Sequence, residues 1–274
     1  MVKNNILEAV GNTPLVKLNR LSEGIGREIY VKVEGMNPSG SIKIRPALNM
    51  IEDAERRGLL NKDSVIVEFS SGNLGIGLSL VAAVKGYQCV IVMPDCMSSE
   101  RVRTLKAYGA KVVLTPSFDS ISETFAVAEA KAKELVAQNK NYVLAGQFVN
   151  QANCEAHNKG TGREIIEQLG EVKPDAFVAA VGTGGTITGT GRILKDTYPD
   201  IKVFALEPAC AAVILGKDIS SHKQQGIGDG FIPEILDMDI FDDVIEITDE
   251  EAFSTTRRLA RDEGLFAGIS SGTN

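Results

Sequence analysis

Histidine is scarce in this 274-residue chain: there are two, His157 and His222, far apart and beside no evident ligand cluster. Cysteine is nearly as thin. Cys89, Cys96, Cys154 and Cys210 are scattered, without the close pairs of a zinc site. These shortages argue against a metal centre and leave a Ser-His-Asp triad little support. Positive charge is also short, with 29 Lys and Arg against 36 Asp and Glu, a net charge of -7. Nucleic acid and acidic membrane surfaces need a basic face, so neither is an expected partner. No apolar run approaches the roughly 20 residues of a membrane span. The opening Met1-Val2-Lys3-Asn4-Asn5 lacks the apolar stretch of a signal peptide, so the cytosol (cytoplasmic location) is expected.

What is present is an ordinary globular composition, 43% hydrophobic and 24% charged, in a chain longer than one core usually serves. Residues 14–18 and 29–33 alternate apolar with polar, as half-buried strands do. From residue 46 onward strands and helices alternate. Strands are expected at 64–68, 88–93, 111–114 and 142–144, and helices at 46–57, 76–85, 99–108 and 120–138. The pattern restarts with a helix over 155–169, a strand at 176–181, a helix at 186–196 and a strand at 202–206. A strand at 244–247 and a helix at 249–262, capped by Asp249, follow. Such alternation predicts an α/β fold of two lobes, each a mostly parallel twisted sheet flanked by helices. Residues 46–150 would form a smaller, mobile lobe, and 1–45 with 151–274 a larger one. The last residues, Ser270-Ser271-Gly272-Thr273-Asn274, read as the opening of another helix, so further C-terminal residues are expected.

One stretch stands out, Asn37-Pro38-Ser39-Gly40-Ser41-Ile42-Lys43-Ile44-Arg45-Pro46. Its turn residues end a strand, and Ser41 as N-cap would put Lys43 in the first turn of the next helix. The positive end of a helix dipole disfavours a cation and suits an uncharged, nucleophilic amine.

Three further segments share one design, Gly/Ser/Thr-rich residues between a strand and a helix: Ser70-Ser71-Gly72-Asn73-Leu74-Gly75, Gly182-Thr183-Gly184-Gly185-Thr186, and Gly268-Ile269-Ser270-Ser271-Gly272. In parallel sheets such turns lie at the carboxyl ends of strands, where ligands bind, and N–H groups at a helix start favour an anion. The Gly182 to Thr186 cup admits two ligands. One is a dinucleotide, with Glu207 on the ribose, although Ile187 stands where the third glycine belongs. The other is the single phosphate of a smaller cofactor. An imine-forming lysine, an asparagine on a loop and a phosphate cup are together the parts that hold pyridoxal phosphate.

At this point the chain resembles the cysteine synthase (O-acetylserine sulfhydrylase) family, the β-family of fold-type II pyridoxal 5'-phosphate (PLP) enzymes that also contains cystathionine β-synthase. The likeness runs from Gly11-Asn12-Thr13-Pro14-Leu15 to the last residue, through Ser71-Gly72-Asn73, Gly146-Gln147-Phe148, Gln225-Gly226-Ile227-Gly228 and Gly230-Phe231-Ile232-Pro233. It implies a cofactor in the cleft between the lobes. It implies further that Lys43 carries PLP as a Schiff base and acts as general base, and that Asn73 contacts the ring hydroxyl. Gly182, Thr183, Gly184, Gly185 and Thr186 would cradle the phosphate, and Ser270 would face the pyridine nitrogen. Ser70, Ser71, Gly72, Asn73 and Gln147 would hold the substrate α-carboxylate. The implied reaction is β-elimination followed by addition of a nucleophile, with O-acetylserine and sulfide giving L-cysteine and acetate. A homodimer, and serine acetyltransferase as a partner, follow from the same likeness.

The chain departs from the family pattern at Leu74, which removes a hydroxyl from the carboxylate loop, at Ile44, read as a packing change, and at Asp229, where a small residue is common. A carboxylate at Asp229 could activate water, which would turn the reaction toward an L-cysteine lyase that releases hydrogen sulfide and forms L-serine. Readings of other classes are an NAD-dependent oxidoreductase built on the Gly182 fingerprint and a cofactor-free two-lobed binding protein.

Overall fold

β-Branched runs become parallel strands, and the apolar stretches between them become helices, in the computed structural model, which describes residues 2–274. The chain forms two compact units: residues up to Gly11 with Asn37–Ala156, and Asn12–Met36 with His157–Asn274. Residues up to 11, 37–45 and 151–156, expected with the larger lobe, therefore pack with the first unit.

In the first unit, strands β3 (Val65–Phe69), β4 (Gln88–Pro94), β5 (Lys111–Thr115) and β6 (Tyr142–Leu144) form one parallel sheet in the order β5-β4-β3-β6. All five residues of β3 are buried, as an inner strand covered on both faces requires. Helices α1 (Ile44–Arg56), α2 (Asn73–Lys85), α3 (Ser99–Ala107) and α4 (Ile121–Gln138) flank it, and α5 (Ala152–Ala156) packs on α1. Ile44, Met50, Ile66, Leu78, Ile91 and Leu105 make the core. Each end of these helices has a local cause. Ser120 caps α4 by accepting the Glu123 N–H, and Gly86 ends α2 in the left-handed conformation that glycine tolerates. Cys89 is buried, and burial pushes its thiol up to about 12, which fits the apolar filler expected from sequence.

The second unit holds β1 (Leu15–Lys17) and β2 (Tyr30–Lys32), paired antiparallel, and a parallel sheet of β7 (Ala176–Ala180), β8 (Lys202–Pro208) and β9 (Asp243–Ile247) in sequence order. Lys32 joins the hairpin to α6 (Arg163–Leu169) through Glu164 at 2.7 Å, Gln168 and the Thr13 carbonyl. Helices α7 (Gly185–Thr197), α8 (Asp249–Glu263) and α9 (Ile269–Thr273) complete it.

Two expectations change here. The cap of α8 is Thr248, not Asp249: Thr248 is extended, accepts the Glu251 N–H, and has its own N–H taken by Glu251, a full capping box. The single helix expected over 155–169 is broken by a π-helical turn, His157–Gly162, between α5 and α6. At Gly162 the turn lies against α7 so closely that a Cβ would strike Ile193 and sit 3.4 Å from the Thr190 Cα. Single π turns of this kind gather at functional positions.

Candidate functional site

Within the first unit, Lys43 stands at the N-cap of α1, one residue before the helix. The expected cap was Ser41. Its hydroxyl instead accepts the Lys43 N–H at 3.0 Å and closes the turn that feeds the helix. Pro46 then falls in the first turn, where its missing N–H has no intrahelical partner to lose. A Cβ on Gly77 would lie 3.3 Å from the Lys43 carbonyl oxygen, so the start of α1 rests on α2 one turn beyond Asn73. Lysine and asparagine loop are thus neighbours within one unit.

The turn from β3 to α2 is organised by Ser70, whose buried Oγ accepts the N–H groups of Gly72 and Gly75, each at 3.1 Å. Both hydroxyl lone pairs are engaged and the O–H is left to donate. Asn73 is exposed at the first residue of α2. Leu74 turns away into the core, 2% exposed, so the lost hydroxyl is replaced by packing and not by an apolar group facing a ligand. The Arg101 side chain lies against Gly72, its Nε 2.8 Å from where a Cβ would sit. Gln147 comes from the loop after β6, and its amide donates to the Phe69 carbonyl at 2.9 Å, which leaves one N–H and the side-chain oxygen. Ser71 and Gly72 complete this cluster.

Within the second unit, β7 leads through Val181 to the glycine cup. Gly184 has φ +81°, and a Cβ there would come within 2.8 Å of Leu236. A Cβ on Gly182 would meet the Gly226 carbonyl oxygen at 2.7 Å. Both positions need glycine, for a left-handed turn and for close approach. Thr183, Gly185 and Thr186 finish the cup at the N-terminus of the 13-residue helix α7. Asp229 sits between Gly228 and Gly230, on a loop tied to β7 by the Gly228 N–H bond to the Val181 carbonyl at 3.0 Å. Ser270 is on α9, which Thr273 joins to the buried amide of Gln224 and Asn274 joins to the Ala180 N–H.

Three contributors escaped the sequence reading. His157, 1% exposed in the π turn, sits 3.0 Å from Thr161 Oγ1 through Nδ1 and 3.4 Å from Thr186 Oγ1 through Nε2. It therefore backs a hydroxyl of the cup. His222 accepts the Gln224 N–H on Nδ1, so its Nε2–H donates to the Gly228 carbonyl beside Asp229. Glu68, wholly buried in β3, accepts N–H groups from Phe69, Gly146 and Gln147. Nothing in local sequence pattern marks these roles, because the partners lie up to 79 residues away.

Glu207 is not available to a ribose. It is 2% exposed, and both its oxygens accept the Ile214 N–H at 3.1 Å, holding the following loop. That removes the acid required by the dinucleotide reading. A phosphate fits the cup instead, because two glycine positions that a side chain would block open onto a helix N-terminus with threonine hydroxyls. Lys43 and Asn73 carry an amine and a side-chain amide within the first unit, and Ser270 a neutral hydroxyl within the second. Among the described residues no group of three or more His, Cys, Asp or Glu could hold a metal ion, and no helix is long and apolar enough to cross a membrane.

Residues 6–274 match the family model described as pyridoxal-phosphate dependent enzyme. A probable cysteine synthase of Bacillus subtilis is 50% identical over 98% of this chain and 86% of its own length. The cysteine synthase of Staphylococcus aureus is 47% identical over 98% of this chain and 85% of its own. Among solved structures, a hydrogen sulfide-producing enzyme from Fusobacterium nucleatum superposes with a TM-score of 0.93 at 43% identity, covering 99% of this chain and 89% of that one. An O-ureido-L-serine synthase gives 0.94 at 41% identity, covering 100% and 84%.

Proposed function

The chain belongs to the family of pyridoxal-phosphate dependent enzymes, and from that premise we propose how its residues make L-cysteine and acetate from O-acetylserine and sulfide. It is a PLP-dependent enzyme of the cysteine synthase kind, and PLP is its cofactor. The observation that carries the residue roles is the pairing, inside the first unit, of the Lys43 N-cap with the Ser70 to Asn73 turn across Gly77.

When bound, PLP supplies a carbonyl that holds an amine covalently and a ring that draws electrons from the Cα of an amino acid. Gly182 to Thr186 would hold its phosphate. Asn73 would hold the ring hydroxyl, and Ser270 would meet the ring nitrogen with a neutral hydroxyl that does not keep it protonated. The Ser70 O–H, the second Gln147 amide N–H and the start of α2 hold the substrate carboxylate. Lys43 Nζ takes the Cα proton and later returns it, while acetate leaves Cβ and sulfide adds there. The purified protein is expected to be yellow, and borohydride is expected to fix the cofactor on Lys43 but not in Lys43→Ala. A colourless protein that binds no PLP refutes this reading.

A second reading concerns Asp229 and is favoured by its half-buried place between two left-handed glycines beside the cup, and by the likeness to the hydrogen sulfide-producing enzyme. Asp229 deprotonates water, and the hydroxide adds at Cβ after sulfide has left: L-cysteine and water give L-serine and hydrogen sulfide. Asp229→Ala should lower sulfide release by about tenfold or more with cofactor absorbance unchanged. Equal release from both proteins would remove Asp229 from the chemistry. A homodimer, a cytosolic location and serine acetyltransferase as partner belong to this proposal on the family likeness alone.

A further inference from the structure

Glu68 is an ionisable group that the reaction above does not use, and it occupies an unusual place. The side chain is 0% exposed, in the strand that leads directly into the Ser70 turn. Among the described residues no cation pairs with it, and its partners are three backbone N–H groups. Oε1 accepts from Phe69 at 3.0 Å, and Oε2 accepts from Gly146 at 2.7 Å and Gln147 at 3.1 Å. Gly146 has φ +73°, which lets two successive N–H groups converge on one oxygen. A carboxyl group buried without a counter-ion is costly to place, and an apolar residue there would pack at lower cost. The arrangement has to provide something other than stability.

We propose that Glu68 is a positioning residue for amino-acid recognition, its carboxyl group locking the Ser70 to Asn73 turn and Gln147 into one platform. Three bonds cross from β3 to the 146–147 loop: two to Glu68, and the Gln147 amide to the Phe69 carbonyl at 2.9 Å. The Phe69 and Phe148 rings stack beside them with centroids 5.4 Å apart. Asn153 holds the Gln147 carbonyl from the other side at 2.9 Å. The Gln147 side chain therefore has one setting, with its uncommitted N–H kept in register with the Ser70 hydroxyl. Only an acceptor at both oxygens can do this. The proposal rests on reading the Ser70 turn and Gln147 as the groups that hold the substrate carboxylate.

The test uses holoenzyme variants. In Glu68→Gln the amide NH2 must face either Phe69 N–H or the Gly146 and Gln147 pair, donor against donor. Glu68→Asp keeps the carboxyl group but withdraws it by one methylene. Glu68→Gln should keep its PLP and visible band while the KM for O-acetylserine rises about tenfold or more and kcat changes much less. Glu68→Asp should fall between it and wild type. The same ranking should appear in the amino-acid concentration needed to shift the visible band. A KM unchanged in Glu68→Gln, with lowered thermal stability only, would overturn the proposal. Ser70→Ala separates the two layers of the argument. If it also leaves KM unchanged, the carboxylate assignment has failed; if it raises KM while Glu68→Gln does not, Glu68 alone has. Should Glu68→Gln not fold, amide exchange in the wild type decides: Gly146 and Gln147 N–H must exchange as slowly as β3, and exchange at loop rates refutes the lock.

Discussion

The two strand-to-helix turns that carry most of the candidate site are built in opposite ways. In the first unit the turn is satisfied from within: Ser70 Oγ takes the Gly72 and Gly75 N–H groups at 3.1 Å, and Glu68 braces the strand behind it. In the second unit the corresponding hydroxyl contact, Gly185 N–H to Thr183 Oγ1, is long at 3.5 Å, and the shape comes from glycine backbone and close neighbours. A turn that consumes its own donors presents side chains to a ligand. A turn built of glycine presents peptide N–H groups. The first suits an amino acid that must be oriented, and the second an anion that must be held.

The strongest way to break this contrast is to fill the cup. Gly184→Val puts a β-branched residue at φ +81° and drives it into Leu236, which lies 2.8 Å from a Cβ. PLP affinity should fall by about a hundredfold or more, the scale on which several phosphate contacts are lost together. Equilibrium dialysis with the visible band as readout measures it. Gly75→Ala, in the other turn, meets side chains only, the nearest being Ile91 at 3.1 Å, and should leave PLP retention close to wild type. Equal losses in both would mean that the two turns do not differ in kind.

Much of this was legible beforehand. Short apolar runs gave the strands of both parallel sheets, and the Gly/Ser/Thr clusters at their ends gave the turns. What eluded the sequence depends on geometry at a distance. Reading Ser41 as the cap places Lys43 two positions too deep in the helix, whereas the Ser41 hydroxyl binds the Lys43 N–H and Lys43 is itself the N-cap. The π turn at His157 follows from the packing of Gly162 on α7, which no periodicity reports. Glu68 looked like the polar end of a strand, and its partners Gly146 and Gln147 are 78 and 79 residues away. Leu74 looked like a lost ligand group until its side chain was found in the core.

The two buried strand glutamates sharpen the comparison at a smaller scale. Burial outweighs three N–H bonds at Glu68 and pushes its carboxyl from 4.5 up to about 8. Burial raises Glu207 as well, against N–H bonds from Val213, Ile214 and Leu215. The folded protein keeps the Glu68 proton to about pH 8, whereas the unfolded chain releases it near 4.5. The stability contributed by the protonated form is complete below that lower value, declines as pH rises between the two, and is gone above the upper one. The melting temperature of wild type should therefore fall as pH is raised from 5 to 9 by an amount on the order of a few kcal/mol in stability. Glu68→Gln should flatten that slope, and Glu207→Gln should do so less. A slope unchanged in both variants would place the titration elsewhere.

The smallest effect separates the turns by stability alone. Ser70→Ala removes the acceptor of two buried N–H groups, at a cost of about 1–2 kcal/mol by the usual scale for a lost cap or an unsatisfied donor. Thr183→Ala removes the 3.5 Å contact from Gly185 within the cup. That contact is worth less than about 1 kcal/mol to the apoprotein, because a hydrogen bond at that length is weak. Urea unfolding of both apo variants gives the numbers, and adding PLP should then widen the gap between wild type and Thr183→Ala, since a bound ligand stabilises in proportion to its affinity. If apo Thr183→Ala is as unstable as Ser70→Ala, the glycine cup is held by its hydroxyl after all, and the distinction between a self-satisfied turn and one kept open for an anion collapses.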